Sequence, residues 1–555
     1  MRSPRHGNVC KVAGVSTLPS FRPPATLRDE TDLPLVIPTP AMTATLPVAI
    51  LGSGFAGMCM AIRLLEAGRD DFVIFEKASS LGGTWRDNTY PGCACDVPSH
   101  LYSFSFAQNR DWTRAYATQP EILAYMQGVA DEHQLEKKIQ FNTQITALVW
   151  DQEASHWRLT AADGRQFAAK VVVSGVGGLH LPKVPDVAGL DSFQGPAFHS
   201  ARWRHDVDLA GKTVAVIGTG ASAIQFIPEV APHVGRLHVF QRTPPWVLPR
   251  NDRPTSTLAR RMFSRLPLLQ RFWRAVQFWY AEAFALGFTV KPKLMGRGQK
   301  RSDRYMRSIV KDKALADRMM PMYTMGCNRV LISDNYYQAL TRDNVELVTE
   351  AIAAVRPHSI VTADGRERPV DVIIHATGFK PFDPSGDMHI QGRGGRTLAA
   401  DWSDGPEAFH GVAVAGYPNY FMLMGPNSGL GHNSIIFMIE TQVNYILQCL
   451  AWLDRGMSGQ PALETVEVRE DVQRAFNDAL QRKFDKSVWK SDGSVWQLPC
   501  KSWYQHRSGK FTAIWPSFAI TYRLALRKAD RQHFVTQRAT AATNPSGLAL
   551  DERAA

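Results

Sequence analysis

Residues 46–77 read LPVAILGSGFAGMCMAIRLLEAGRDDFVIFEK. The apolar run at 46–51 reads as a strand, and the glycine turn GSGFAG follows it at 52–57. A helical segment through Ile62, Leu64 and Leu65 ends near Gly68, where glycine tolerates the conformation of a C-cap. Phe72 to Phe75 reads as the next strand and ends at Glu76, twenty-four residues after Gly52. Strand, glycine turn, helix, and a strand closing on a carboxylate is the order of a dinucleotide-binding βαβ unit. Gly52, Gly54 and Gly57 hold its three glycine positions.

The unit recurs. TVAVIG at 213–218 is a strand running into the turn GTGASA at 218–223. Ala221 to Val230 is helical in pattern, LHVF at 237–240 is the next strand, and Arg242 lies twenty-four residues after Gly218. A carboxylate at that place suits a free ribose 2′-hydroxyl, and an arginine suits a 2′-phosphate. The chain therefore carries two dinucleotide signatures, FAD at the first turn and NADPH at the second. Gly218, Gly220 and Ser222 are expected to offer donors to a pyrophosphate at the helix N-terminus. Arg242 and Thr243 are expected to take the 2′-phosphate. One glycine turn is weak evidence. Two, each in complete βαβ order with a fitting terminal residue, define an α/β fold with two Rossmann-like domains.

VVVSGVGG at 171–178 and VDVIIHATGF at 370–379 are apolar strands entering glycine turns. They read as the paired crossings by which the chain leaves one domain and returns, so the NADPH domain is expected to be inserted in the FAD domain. The expected layout is a disordered extension at 1–43, FAD-binding residues 44–185, an NADPH domain at 186–375 with a helical insertion at about 255–320, the rest of the FAD domain with a nicotinamide-contacting loop at 376–537, and a disordered tail at 538–555. Met42 is an alternative start.

A chain of 555 residues exceeds one ordinary core. A hydrophobic content of 45% with 21% charged residues is that of a soluble globular protein. The net charge of +12 admits nucleic acid, a membrane surface or polyanionic cofactors. There is no zinc spacing, RNP-type strand or uninterrupted basic stripe, so nucleic acid is not expected as a partner. Seven cysteines, an odd number, do not make a disulfide framework, and a cytoplasmic location fits. Cys93 and Cys95 form C-x-C without a second ligand pair, so no metal is expected. No apolar run reaches the ~20 residues that span a bilayer.

Two further segments sharpen the chemistry. GGTWRDNTYPGCACD occupies 82–96, and FQGPAFHSARW at 193–203 carries Phe193, Gly195, His199 and Trp203. On these motifs the chain resembles the Baeyer–Villiger class B flavoprotein monooxygenases. The family's F-x-G-x-x-x-H-x-x-x-W is met in full, with Arg204 standing where Pro or Asp normally follows. The longer family motif is met by Gly82, Gly83, Trp85, Tyr90, Pro91, Gly92 and Asp96. The resemblance runs from about residue 46 to about 525.

It implies that hydride from NADPH reduces FAD, that dioxygen then gives a peroxyflavin, and that attack on a ketone yields an ester or lactone. In the family an arginine stabilises the peroxide. Arg329, in GCNRVLISDNYYQAL at 326–340, holds that position, with Asp96 orienting it. Lys77, Thr84 and Tyr102 join Gly83 and Trp85 as flavin-side candidates. Trp503, in CKSWYQHRSGK at 500–510, matches a family contact to the nicotinamide dinucleotide, though Phe511 departs from the usual Asn. Asn427, in GPNSGLGHNS at 425–434, is a flavin contact or a packing residue. His199 lies in a segment that reads as a linker, and a hinge or hydrogen-bonding role is favoured over direct chemistry. Many relatives carry a lysine beside the arginine; Asn328 stands there, which weakens the preference for NADPH over NADH.

The alternative activity is oxidation of amine nitrogen or sulfide sulfur, by related enzymes that share the glycine turns but normally lack the Asp96 motif. Residues 257–288 are rich in arginine and aromatics. They read as a helix packed on the body with solvated arginines, or as a peripheral membrane contact or lipophilic entrance.

Overall fold

The computed structural model describes residues 45–380, 388–454, 463–490, 499–500 and 502–538. The extension at 1–43 and almost all of the tail at 538–555, both expected to be disordered, lie outside the described residues.

The first sheet grows around the opening strand. β1 (Leu46–Leu51) pairs in parallel with β2 (Phe72–Phe75) and with β6 (Gln166–Ser174). β2 carries β3 (Ile139–Gln140) at one edge. On the other side β6 turns back through β5 (His156–Ala161) and β4 (Ile145–Asp151) as an antiparallel meander. Helix α1 (Phe55–Glu66) crosses from β1 to β2, and nearly its whole surface is buried. Val48, Ile50, Ile74 and Val173 are fully buried on one face, and Ala49 and Val172 on the other, which accounts for the continuous apolar strands: both faces of a parallel sheet are covered.

The second sheet has the order β10-β9-β8-β11-β7, all parallel. Its strands are β7 (Ala197–His199), β8 (Thr213–Ile217), β9 (Arg236–Phe240), β10 (Val345–Val348) and β11 (Val372–His375). Helix α2 (Ala223–Val230) follows the second glycine turn and begins two residues later than the pattern suggests. The chain then returns to the first sheet, where β12 (His389–Gln391) extends β4 and β13 (Tyr420–Met422) pairs with the end of β6. The second sheet is thus nested between strands of the first.

Residues 181–183, just past the first expected crossing, meet the end of the second. The Lys183 N–H donates to Gly378 O at 2.9 Å, the Lys380 N–H donates to Leu181 O at 2.9 Å, and Pro182 bridges Phe379 antiparallel. Inside the second domain, α3 (Thr257–Arg265), α4 (Pro267–Ala285) and α5 (Met295–Ile309) form the helical insertion. The long helix α6 (Ile435–Leu453) is apolar enough to span a bilayer by composition, but two-thirds of it is buried and it packs on α1 as a core helix.

One expectation is corrected. His199 is not in a linker: it ends the edge strand β7, in register with His375 of β11, and is buried. Three residues are too short a run to show strand periodicity. Gly195 just ahead of β7 is held by close approach, since a Cβ there would lie 2.2 Å from Asp371 O.

Candidate active site

The first glycine turn is shaped by contact with its own helix and with the crossing strand. A Cβ on Gly57 would sit 1.9 Å from Gly52 O, and Gly52 itself has φ +91°. Gly54 is different: its added Cβ would meet only the Gly83 Cα, at 3.8 Å. The N-terminus of α1 has no side-chain cap, which leaves its first N–H groups as donors for an anion. Glu76 is buried at the carboxyl end of β2. Its Oε2 accepts from Ser53 N (2.9 Å) and Ser53 Oγ (2.7 Å), and its Oε1 accepts from Ala78 N (3.0 Å) and Arg86 (3.1 Å). Ser53 and Arg86 were not singled out from the sequence. Ser53 is an unassigned position inside the glycine motif, and only proximity reveals Arg86. Lys77 and Thr84 are exposed beside this end of the sheet.

The segment 82–96 runs from one turn to the other. The Gly82 N–H donates to Ser53 O at 3.1 Å, which ties its start to the first turn. Buried Trp85 donates from Nε1 to Tyr102 Oη at 3.2 Å, so these two candidates form one wall. Further on, the Tyr90 hydroxyl donates to Gln225 Oε1 at 2.9 Å, and Gln225 Nε2 donates to Ala94 O at 3.0 Å. Gln225 lies on α2, directly after the second glycine turn, and serves as the clamp between the two halves. The sequence offers no signal for it beyond a polar residue on an apolar helix. Cys93 and Cys95 are buried free thiols, and burial pushes the Cys93 thiol up to about 11.

At the second turn, a Cβ on Gly220 would meet nothing within 4 Å, and α2 also lacks a side-chain cap. Ser222 stands immediately before that helix, and Arg242 and Thr243 are exposed just past the end of β9. Open backbone, free helix-terminal donors and an exposed cation are what a dinucleotide with a 2′-phosphate needs. Both turns therefore fit the groups the sequence assigns to them. A cavity of about 440 Å³ lies at the opposite ends of β8 and β11, lined by Lys212, Thr213 and Asp371 among others. Ligands of open α/β sheets bind at the carboxyl ends, so that cavity is not the dinucleotide site.

Segment 82–96 ends at Asp96, and Arg329, 233 residues away in the chain, donates from its Nη2 to Asp96 Oδ1 at 2.7 Å. The Arg329 side chain remains 37% exposed and Asp96 25%. The adjacent carboxylate raises the Arg329 pKa further above its ordinary value, so the guanidinium stays charged. Buried Tyr504 lies within electrostatic reach of Arg329, and burial pushes its hydroxyl up to about 12. The neighbouring Cys327 forms a disulfide with Cys500, joining the Arg329 loop to the segment that carries Trp503. An odd cysteine count read as no framework is compatible with this single bridge, but composition could not show the pairing. Trp503 is 43% exposed and packs against Tyr504 with ring centroids 4.5 Å apart.

Two candidates have other partners. The Asn427 side-chain amide donates to Phe511 O (2.8 Å) and Ile514 O (3.1 Å), so its N–H groups hold the C-terminal segment. Phe511, the departure from the family pattern, is buried and stacks on Phe484 at 4.5 Å. In the fingerprint, His199 Nδ1 accepts from Ala201 N at 3.1 Å, and burial lowers its pKa. Trp203 packs between Phe198 and Phe226, each 5.3 Å away between centroids. Phe193 packs partly buried beneath the second sheet. These fingerprint residues brace the second domain and do not line the pair Asp96–Arg329.

Residues 46–283 match the family described as flavin-binding monooxygenase-like. The chain is 48% identical over 510 residues to a Baeyer–Villiger monooxygenase of Pseudomonas aeruginosa, covering 91% of this chain and 95% of that one. It is 44% identical over 483 residues to a Baeyer–Villiger monooxygenase of Streptomyces coelicolor, covering 87% and 91%. Among solved structures it is similar to an oxidized steroid monooxygenase bound to NADP, at 30% identity and a TM-score of 0.77, covering 89% of this chain and 99% of that one. The fold and the paired turns define a two-dinucleotide oxidoreductase. The chain belongs to the Baeyer–Villiger monooxygenase family.

Proposed function

We propose that this enzyme uses NADPH and dioxygen to insert one oxygen atom beside a ketone carbonyl, giving an ester or lactone. The observation that carries the reading is the Asp96–Arg329 pair at 2.7 Å, at the end of the segment that links the two glycine turns. In this reading residues 44–185 with 376–537 hold FAD and residues 186–375 hold NADPH. When bound, FAD supplies the relay of electrons from nicotinamide to dioxygen.

The chain's own residues do the rest. The α1 N-terminus and the open face of Gly54 receive one pyrophosphate, and the α2 N-terminus receives the other. Arg242 supplies the charge that selects a 2′-phosphate. Arg329 presents a permanent cation whose direction is set before reaction, because Asp96 occupies one of its five donors and the others stay available to developing negative charge. Asp96 also prevents that cation from swinging into solvent. Buried Tyr102 and Tyr504, both within electrostatic reach of Asp96 and Arg329, back the pair on its inner side and leave its outer side open. Trp503 stands at the rim, where the disulfide holds its segment against the Arg329 loop.

Arg329→Ala is expected to bind FAD with normal absorbance and to oxidise NADPH, while product mass analysis finds no ester from a ketone panel. Ester formation at the wild-type rate in that variant would remove Arg329 from the mechanism.

A further inference from the structure

Helix α4 is built inside out. Its inward face carries Gln270, Arg274 and Glu282, with Phe278 and Ala285 packed on the core between them. Gln270 Nε2 donates to Asn109 O at 2.6 Å, and Arg274 donates to His100 O at 2.6 Å and Leu101 O at 3.1 Å. Glu282, 2% exposed, accepts from His432 (3.2 Å), Asn433 (2.9 Å) and the Ala519 and Ile520 N–H groups. Its outward face is apolar. Leu268, Phe272, Val276, Tyr280 and Phe284 recur every fourth residue and are all exposed, Leu268 at 75% and Phe272 at 65%. With Trp273 and Trp279 they cover an arc of about 160° at the helical 100° per residue. Twelve of the nineteen exposed large apolar side chains among the described residues lie between Leu258 and Val290. An ordinary surface helix turns its apolar stripe to the core. This one spends its polar groups on the core and presents a contiguous apolar face, a concentration that marks an interaction surface.

The charge around the face selects its partner. Between Arg253 and Arg301 the sequence holds eleven Lys and Arg and a single acid, Glu282, which is turned inward. Arg261, Arg265, Arg271, Lys291 and Lys293 are exposed beside the apolar arc. A second copy would bring the same cations face to face. An anionic lipid surface answers both features: apolar and aromatic side chains enter the headgroup boundary, and the cations meet lipid phosphates. We propose that α3 and α4 dock this enzyme on the surface of a membrane rich in anionic lipid, with α4 lying in the plane of the interface. The proposal takes the membrane-surface reading of this stretch over the reading in which it only packs on the body with solvated arginines, and it is independent of the reaction assigned above.

The test is flotation of the full-length holoenzyme with vesicles of phosphatidylglycerol and phosphatidylcholine, and with vesicles of phosphatidylcholine alone. The wild type is expected to float with the anionic vesicles, to float weakly or not at all with the neutral ones, and to be released at about 0.5 M NaCl. Phe272→Glu combined with Trp279→Glu should weaken partitioning at least about tenfold. Both sites are exposed, so flavin absorbance and NADPH oxidation in solution should be unchanged. The proposal is overturned if the wild type does not float with anionic vesicles, or if the double variant floats equally well. It is also overturned if sedimentation shows a dimer that the variant abolishes without any vesicle binding, which assigns the face to a second copy.

Discussion

Arg329 and Asp96 are ordinary residues in an ordinary ion pair until their surroundings are counted. An exposed pair contributes little to stability, and this one is partly open. Its value lies in direction: one nitrogen is fixed at 2.7 Å and the charge is permanent. In the proposed reading Arg242 has a different task, discrimination between two nicotinamide dinucleotides. Charge-assisted hydrogen bonds of this kind are worth about 1.5–3 kcal/mol. Arg242→Ala is therefore expected to raise KM for NADPH about ten- to hundredfold, by the same conversion, while KM for NADH stays level. Steady-state kinetics with both cofactors decides it, and an equal loss for both would mean that Arg242 does not read the phosphate.

At the scale of elements, the βαβ units were legible because strand period, glycine turn and terminal charge all agree within about thirty residues. β7 was not, since a three-residue edge strand is specified by the neighbour it pairs with. Helix α4 was legible as a helix but not in its orientation. Its composition suits either facing, and only His432, Asn433 and the 519–520 backbone show that Glu282 points inward. Burial works to raise the Glu282 carboxyl, yet the His432 and Asn433 hydrogen bonds hold it below its ordinary value. Glu282→Ala would leave those donors buried without an acceptor, at a cost of about 3 kcal/mol. A lower melting temperature with normal flavin content is the expected result. An unchanged melting temperature would show that the polar face does not anchor α4.

At the scale of the whole molecule, several histidines are buried as neutral rings. Burial lowers His100 and His375 to about 4 and His410 to about 3. An unfolded histidine titrates near pH 6.5. The folded pKa values are the lower ones, so below about pH 6.5 the unfolded chain binds more protons than the folded one, and stability falls as pH drops towards about 4. Melting temperature measured at constant ionic strength should be flat above about pH 7 and decline steadily below it. A rise on acidification would contradict the neutral burial of these rings.

The sequence by itself determined the two dinucleotide units, their order, the cofactor each suits and the pair Asp96–Arg329 as candidates, because each rests on short spacings or on a motif shared across a family. Only the tertiary structure decided that Gln225 clamps the two halves, that Cys327 pairs with Cys500, that Asn427 holds the C-terminal segment, and that α4 turns its apolar face outward. Those outcomes depend on partners hundreds of residues apart in some cases, and on which of two compatible faces finds hydrogen-bonding groups waiting in the core. Local pattern has no access to that choice.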